Sequence, residues 1–179
     1  MQQLVEDLIS LSRIEAERFS RPKDALPLRL LVEEARQACC GLADQRRCDV
    51  RIEAEQDMPP VVGDRSELLQ LLDNLISNAL RYGRPGRPVT IALSPEGEMV
   101  RLTVADEGEG IPAKHIPRVT ERFYRVDPSR SRALGGTGLG LSIVKHIVER
   151  HRGRLAIESE PGLGTRIHVL LPAARGRLS

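Results

Sequence analysis

The chain has 179 residues, 40% hydrophobic and 29% charged, which fits one ordinary globular domain with a small appendage. Its net charge of +2 is too small to argue for nucleic acid or an acidic membrane surface, so no nucleic-acid partner is expected. No stretch approaches the roughly 20 apolar residues that span a bilayer, and no signal-peptide pattern opens the chain. With aromatics at 2% and no Trp, any core must come from Leu, Ile, Val and Ala. Cys39, Cys40 and Cys48 are an odd set without metal-site spacing and read as free thiols of a reducing, cytosolic compartment.

Residues 2–19 place Leu4, Val5, Leu8, Ile9, Leu11 and Ile14 on one side of a helix. Little sequence surrounds that side, so a partner helix is implied. The polar, Pro-bearing "SRPKDALP" ends the helix as a linker over 21–27. A compact domain is expected over 28–173, followed by a tail at 174–179. It opens with a helix, "LRLLVEEARQACCGLADQ", and an alternating strand, "CDVRIEAE". "MPPVVGD" turns into a short apolar strand. Residues 64–82 are predicted as a helix with Asp64 as N-cap and Glu67 at the third position. "VTIAL" and "MVRLTVA" form a hairpin around "SPEGE". Residues 106–137 read as loop with at most short helical turns, 138–150 as a helix, and "GRLAIESE" with "TRIHVLLP" as a final strand pair around "PGLG". Alternating strands and helices combined with two hairpins predict an α+β fold, a mixed and mostly antiparallel sheet covered by helices on one face.

Three segments carry chemistry. "GGTGLGLSIV" crowds glycines against the start of a helix. Glycine exposes backbone N–H groups, and the first helical turn adds unpaired donors and a positive dipole end, so the pair forms a phosphate cradle. No Lys-Ser or Lys-Thr follows, so this is not a Walker loop. On the 64–82 helix, Glu67, Gln70, Asn74, Asn78 and Arg81 fall on one stripe, opposite Leu68, Leu72, Leu75, Ile76 and Ala79. Asparagine is a poor helix former, and its side-chain oxygen suits Mg²⁺. In "VADEGEGI", Asp106 ends a strand beside Gly108 and Gly110, where a carboxylate either closes an ordinary acidic turn or can accept a hydrogen bond from an adenine amino group.

In order and spacing the chain resembles the catalytic ATP-binding domain of bacterial sensor histidine kinases, in the superfamily shared with gyrase, Hsp90 and MutL, whose Bergerat fold is a two-layer α/β sandwich. "DNLISNALRY" looks like its N box, "DEGEGI" its G1 box, "ERFYR" its F box, "GGTGLGL" its G2 box and "GLGT" its closing glycine motif. "LVEDLISLSRIEA" resembles the second helix of the dimerisation and phosphotransfer domain, which makes residues 1–20 the end of a stalk.

The resemblance implies that Asn78 supplies an oxygen to Mg²⁺ and that Asn74 lines the same pocket. Arg81 would reach the phosphates and Tyr82 would pack near the adenine. Asp106 would accept from the adenine amino group, with Gly108, Gly110 and Ile111 of the same box in the binding set. Residues 112–137 would be a mobile lid, anchored by Phe123, in which Arg125 and either Arg130 or Arg132 contact phosphate. The backbone of Gly136, Thr137, Gly138, Leu139, Gly140 and Leu141 would wrap the phosphates, and Thr165 would lie beside the adenine. Gly83 departs from the Ser or Thr that many relatives carry after the N-box tyrosine.

The implied function is to hold Mg·ATP and present its γ-phosphate to a histidine, for relay to an aspartate of a response-regulator receiver domain. His115, His146, His151 and His168 do not sit in sequences like the family's acceptor box. The acceptor is therefore expected upstream of Met1, in the chain's own phosphotransfer domain. The fragment should bind ATP without autophosphorylating alone, inside a full-length protein that is homodimeric and anchored in the bacterial inner membrane. An anti-sigma-factor kinase would lack the stalk helix, a degenerate binding module would not keep intact N, G1 and G2 boxes, and the gyrase branch lacks this F box.

Overall fold

A computed structural model describes residues 1–17 and 19–175. Arg18 and residues 176–179, which include most of the predicted tail, lie outside the described residues. Helix α1 (Gln2–Ala16) stops three residues before its predicted end, where Glu17 N–H closes the last turn on the Arg13 carbonyl. The segment expected as a linker contains a short strand, β1 (Asp24–Leu26). The single helix expected next is two, α2 (Leu28–Ala38) and α3 (Cys40–Arg46), broken at Cys39 with φ −89° and ψ 3°. The break lets Leu31, Val32 and Ala35 of α2 and Ala43 of α3 all be buried.

Strand β2 (Val50–Ala54) is followed by β3 (Val61–Gly63), which pairs antiparallel with β1. Helix α4 (Arg65–Tyr82) then starts on Asp64, whose side chain accepts the Glu67 N–H at 3.0 Å, as its cap position predicted. At its other end the Arg46 guanidinium donates to the carbonyls of Leu80, Arg81 and Gly83, satisfying acceptors a helix C-terminus leaves open. Strands β4 (Val89–Glu96) and β5 (Met99–Asp106) run through most of the expected turn, leaving only Gly97 and Glu98 between them. Gly97 has φ +61°, which a two-residue hairpin turn favours.

A 3-10 turn (Ala113–Arg118) and the short helix α5 (Pro128–Ala133) interrupt the long loop. Helix α6 (Gly140–Arg150) and the hairpin β6 (Arg154–Glu160) and β7 (Gly164–Pro172) complete the fold. The main sheet has the order β2-β4-β5-β7-β6, with β2 and β4 parallel and every other pair antiparallel. Val89, Ile91 and Leu93, Val100, Leu102 and Val104, and Ile167, Val169 and Leu171 alternate along their strands and are buried together. Onto that face pack Leu68, Leu72, Leu75, Ile76 and Leu80 of α4 with Ile143, Val144 and Ile147 of α6. This is the mixed sheet with one helical layer that the pattern predicted. Among the described residues no helix is long and apolar enough to cross a membrane.

Helix α1 finds a partner within the chain, because Leu11 and Ile14 are buried in the common core and the helix packs on α6. Val5, Leu8 and Ile9, on its other side, stay exposed. Beyond α6, buried His151 accepts the Asp64 N–H at Nε2 (3.0 Å) and donates from Nδ1 to the Ile147 carbonyl (2.8 Å). Accepting at Nε2 requires the neutral ring, and burial holds the imidazole below its ordinary pKa.

Two outcomes are expected. Leu75→Ala removes a fully buried side chain from the layer between α4 and the sheet and should cost about 2–5 kcal/mol in denaturant unfolding. For His151, the unfolded chain binds a proton near pH 6.5 whereas the folded chain does so only at lower pH. Stability should therefore be intact above about pH 6.5 and decline below it. Urea titrations at about pH 7.5 and about 5.5 should show that decline, and it should be smaller in His151→Gln.

Candidate nucleotide-binding site

A cavity of about 560 Å³ opens between α4, the ends of β5 and β7, and the segment from Glu109 to Leu141. Asn74, Asn78, Arg81 and Tyr82 reach its wall from α4, and Asp106 and Thr165 from the strands. Gly110, Ile111 and Arg125 follow from the loop, then Gly136, Thr137, Gly138, Gly140 and Leu141 from the glycine-rich run. Residues far apart in sequence are thereby brought to one wall. Glu67, at the start of the polar stripe, faces elsewhere and pairs with Arg150 at 2.9 Å.

One end of the cavity is built on the β5–β7 register, which sets Asp106 opposite Thr165. Asp106 Oδ1 accepts the Gly108 N–H at 2.8 Å, and burial raises the carboxyl pKa above its ordinary value. Thr165 Oγ1 lies 2.8 Å from Ser159 Oγ, which accepts the Ile111 N–H at 2.7 Å. Gly108 is buried behind this wall, where a Cβ would collide with the Tyr82 carbonyl oxygen. Its lack of a side chain lets the turn close on the end of α4, and it contributes no cavity surface.

Counting back along α4 from Tyr82, Asn78 is about 6 Å and Asn74 about 12 Å away along the axis. At Asn74 the helix meets the glycine-rich run, since a Cβ on Gly140 would lie 3.5 Å from Asn74 Oδ1. Asn74 Nδ2 is buried with no hydrogen-bond partner. Gly138, at φ +78°, accepts the Phe123 N–H at 2.8 Å, and the Gly136 carbonyl accepts from Arg125 at 2.9 Å. Helix α6 starts here with Leu139 at its N-cap, which offers no side-chain acceptor to the first turn, so its N-terminal donors and dipole face the run. Leu139 is fully buried and seats α6 in the core, while the wall itself is formed by its neighbours.

Arg132 is exposed, its Nε 3.5 Å from the Pro128 carbonyl of its own helix, and Arg130 lines the cavity instead, paired with Glu109. Both lie on α5, where one face alone can point inward. Phe123 is 56% exposed at φ +62°, and what ties it to the glycine-rich run is its backbone N–H, which donates to the Gly138 carbonyl. The neighbouring Tyr124 takes the packing role, bonded to His115 Nδ1 with the Arg118 guanidinium 4.4 Å from its ring centroid. Tyr82 lines the cavity and also holds the loop, its hydroxyl 3.0 Å from Ser131 Oγ on α5.

The sequence reading missed Asp7 and Gln3 of α1 and Cys39 beside Asp73, all in the wall. Burial and then Asp73 push the Cys39 thiol up to about 12, so it is an unreactive packing group. Asp7 had a legible signal. Leu4, Asp7, Leu11 and Ile14 form one heptad-spaced stripe, and Asp7 is the only polar member. Among the described residues no three His, Cys, Asp or Glu could together hold a metal. The wall instead offers the amide groups of Asn74 and Asn78.

The model of the histidine kinase-, DNA gyrase B-, and HSP90-like ATPase family matches residues 63–175. The sensor-like histidine kinase SenX3 of Mycobacterium tuberculosis is 40% identical over 171 residues, 95% of this chain and 41% of SenX3. The phosphate regulon sensor protein PhoR of Pseudomonas aeruginosa is 38% identical over 165 residues, 92% of this chain and 37% of PhoR. The chain thus spans about two-fifths of the curated relatives it matches. The structure of the mycobacterial sensor histidine kinase MprB aligns at 28% identity with a TM-score of 0.70, covering 84% of this chain and 97% of that one. Full-length ShkA, solved in complex with AMPPNP, shares the fold at a TM-score of 0.84 and 24% identity, over 97% of this chain and 36% of ShkA. The matched span runs from β3 through β7 and supplies every cavity residue expected from the sequence, so the chain belongs to the histidine kinase-, DNA gyrase B-, and HSP90-like ATPase family.

Proposed function

We propose that this chain binds Mg·ATP and presents the γ-phosphate to a histidine outside these residues, as the ATP-binding catalytic domain of a sensor histidine kinase. The carrying observation is one continuous cavity along α4, with the Asp106 carboxylate at one end and the glycine-rich run over the α6 N-terminus at the other. Relatives named as sensor kinases and the AMPPNP complex of ShkA support the same reading.

In this reading Asp106 accepts from the adenine amino group, and Thr165 and Ile111 flank the base. Asn78 lies one turn in, where the phosphate chain passes. The donor set fits Mg²⁺, which keeps several waters and takes further oxygens from phosphate, so an amide oxygen in place of a carboxylate cage suffices. Asn78 holds the ion, and the unpaired Asn74 amide is available to a phosphate or its water. When bound, Mg²⁺ neutralises charge developing on the transferred group. Arg81, Arg125 and Arg130 add positive charge, and backbone N–H groups from Gly136 to Leu141 orient the phosphates. The loop before them excludes water.

The nucleophile comes from elsewhere in this scheme. His151 and His168 are hydrogen-bonded inside the domain, His115 is bonded to Tyr124, and His146 lies 3.9 Å from Glu15. Residues 1–20 act as the end of the dimerisation stalk and 28–173 as the catalytic domain. The acceptor histidine sits in the preceding phosphotransfer domain of a homodimeric, membrane-anchored protein that serves a response-regulator aspartate.

Calorimetric titration with a non-hydrolysable ATP analogue, with and without Mg²⁺, tests the proposal. The unmodified chain should bind, and Asp106→Asn should weaken binding at least tenfold, about 1.4 kcal/mol, under both conditions. Asn78→Ala should abolish most of the gain from Mg²⁺. A folded chain that binds no nucleotide, or two variants that bind like the unmodified chain, would refute the assignment.

A further inference from the structure

Asp7 is the acidic side chain that α1 contributes to the cavity wall, and it is only 6% exposed. Its carboxylate accepts from Thr137 Oγ1 at 2.6 Å and from Gln3 Nε2 at 3.0 Å, both uncharged donors. Thr137 belongs to the glycine-rich run, and its Oγ1 also accepts the Leu139 N–H (3.3 Å) at the cap position of α6. The Asp7 charge is thus seated, through one hydroxyl, over the uncapped N-terminus of α6. That is where an anion is favoured by the open donors and the dipole.

The position along α4 identifies which anion would compete for this place. Asp106 lies at the Tyr82 end, and Gly140 faces Asn74, whose Oδ1 a Cβ there would approach to 3.5 Å, about 12 Å back along the helix. A nucleotide with its base at Asp106 runs its phosphates toward Thr137, and its terminal phosphate comes closest to Asp7. A triphosphate reaches further along this path than a diphosphate.

We infer that Asp7 is a specificity residue that sets the preference of this site between ATP and ADP. While α1 is docked, its buried carboxylate opposes the terminal phosphate of a triphosphate and tolerates a diphosphate. Full triphosphate binding displaces Asp7 and loosens α1. The displacement works against other contacts of α1, among them Leu11 and Ile14 in the core and Glu15 paired with Arg122. Just beyond the helix, the Glu17 carbonyl is bonded to Arg150. The inference rests on the ATP-site reading above.

The test compares the whole chain with Asp7→Asn, titrating Mg²⁺-AMPPNP and Mg²⁺-ADP separately, beside Asp106→Asn. Asparagine keeps one acceptor oxygen for Thr137, removes the charge and replaces the oxygen that accepts from exposed Gln3 with an NH2 group. Asp7→Asn should tighten AMPPNP about tenfold, about 1.4 kcal/mol, and change ADP less than about twofold. In the unmodified chain, AMPPNP should raise hydrogen exchange over residues 2–16 and ADP should not, a readout that needs no variant. Equal changes for both nucleotides would assign Asp7 a merely structural role and overturn the inference. So would weaker Mg²⁺-AMPPNP binding by Asp7→Asn, which would make the carboxylate a metal ligand, or no change at all. If both nucleotides bind and depend on Asp106 but Asp7→Asn does not discriminate between them, only the Asp7 assignment falls. If neither the folded chain nor Asp7→Asn binds either nucleotide, the ATP-site reading falls and takes this inference with it.

Discussion

The division of α4 into two unlike sides is the constraint on which the rest depends. Leu68, Leu72, Leu75, Ile76 and Leu80 are excluded from water and fix the helix on the sheet, which fixes its rotation about its own axis. Asn74, Asn78 and Arg81 are then presented to the cavity as a consequence of apolar packing on the opposite side. The two ends are pinned by different means, Asp64 and His151 at the start and Arg46 on three terminal carbonyls at the finish. A rotation of α4 would cost burial across the whole layer, so polar groups that gain little stability themselves are held in place by those that gain much.

The loop over the cavity is fastened mainly by polar contacts to residues that also form the wall. Tyr82 reaches Ser131, Arg125 reaches the Gly136 carbonyl, and Phe123 uses its backbone on Gly138. Each such bond is worth about 1 kcal/mol net, so the segment can rearrange without disturbing the core. The main apolar anchor of the run after the loop is Leu139, buried at the start of α6. A cradle hung between a rigid helix and a weakly tied loop suits a ligand that must be enclosed and released.

Helix α1 couples to the cavity through both packing and charge. Leu11 and Ile14 dock it on the domain, and Arg150, itself bound to Glu67, links its end to the start of α4. The same helix places Asp7 in the cavity wall, bonded to Thr137 of the glycine-rich run. A displacement of α1 would therefore alter the cavity wall directly.

Periodicity alone marked α4, the hairpin strands, α6 and the mixed sheet, because an apolar face must be buried and its spacing reveals the element. The glycine-rich run was legible as chemistry by itself, whereas the paired asparagines and the strand-end Asp106 became so only through their order and spacing relative to it. Local pattern did not reveal β1, whose three residues become a strand only by pairing with β3, or the break at Cys39, which lets both halves of a helix turn inward. It also could not choose Arg130 over Arg132 or Tyr124 over Phe123, since neighbouring side chains diverge by backbone rotation and only the packed loop sets that rotation. The placement of Asp7 depends on which surface α1 covers, a long-range apolar contact that leaves a polar residue in the stripe as its only local trace.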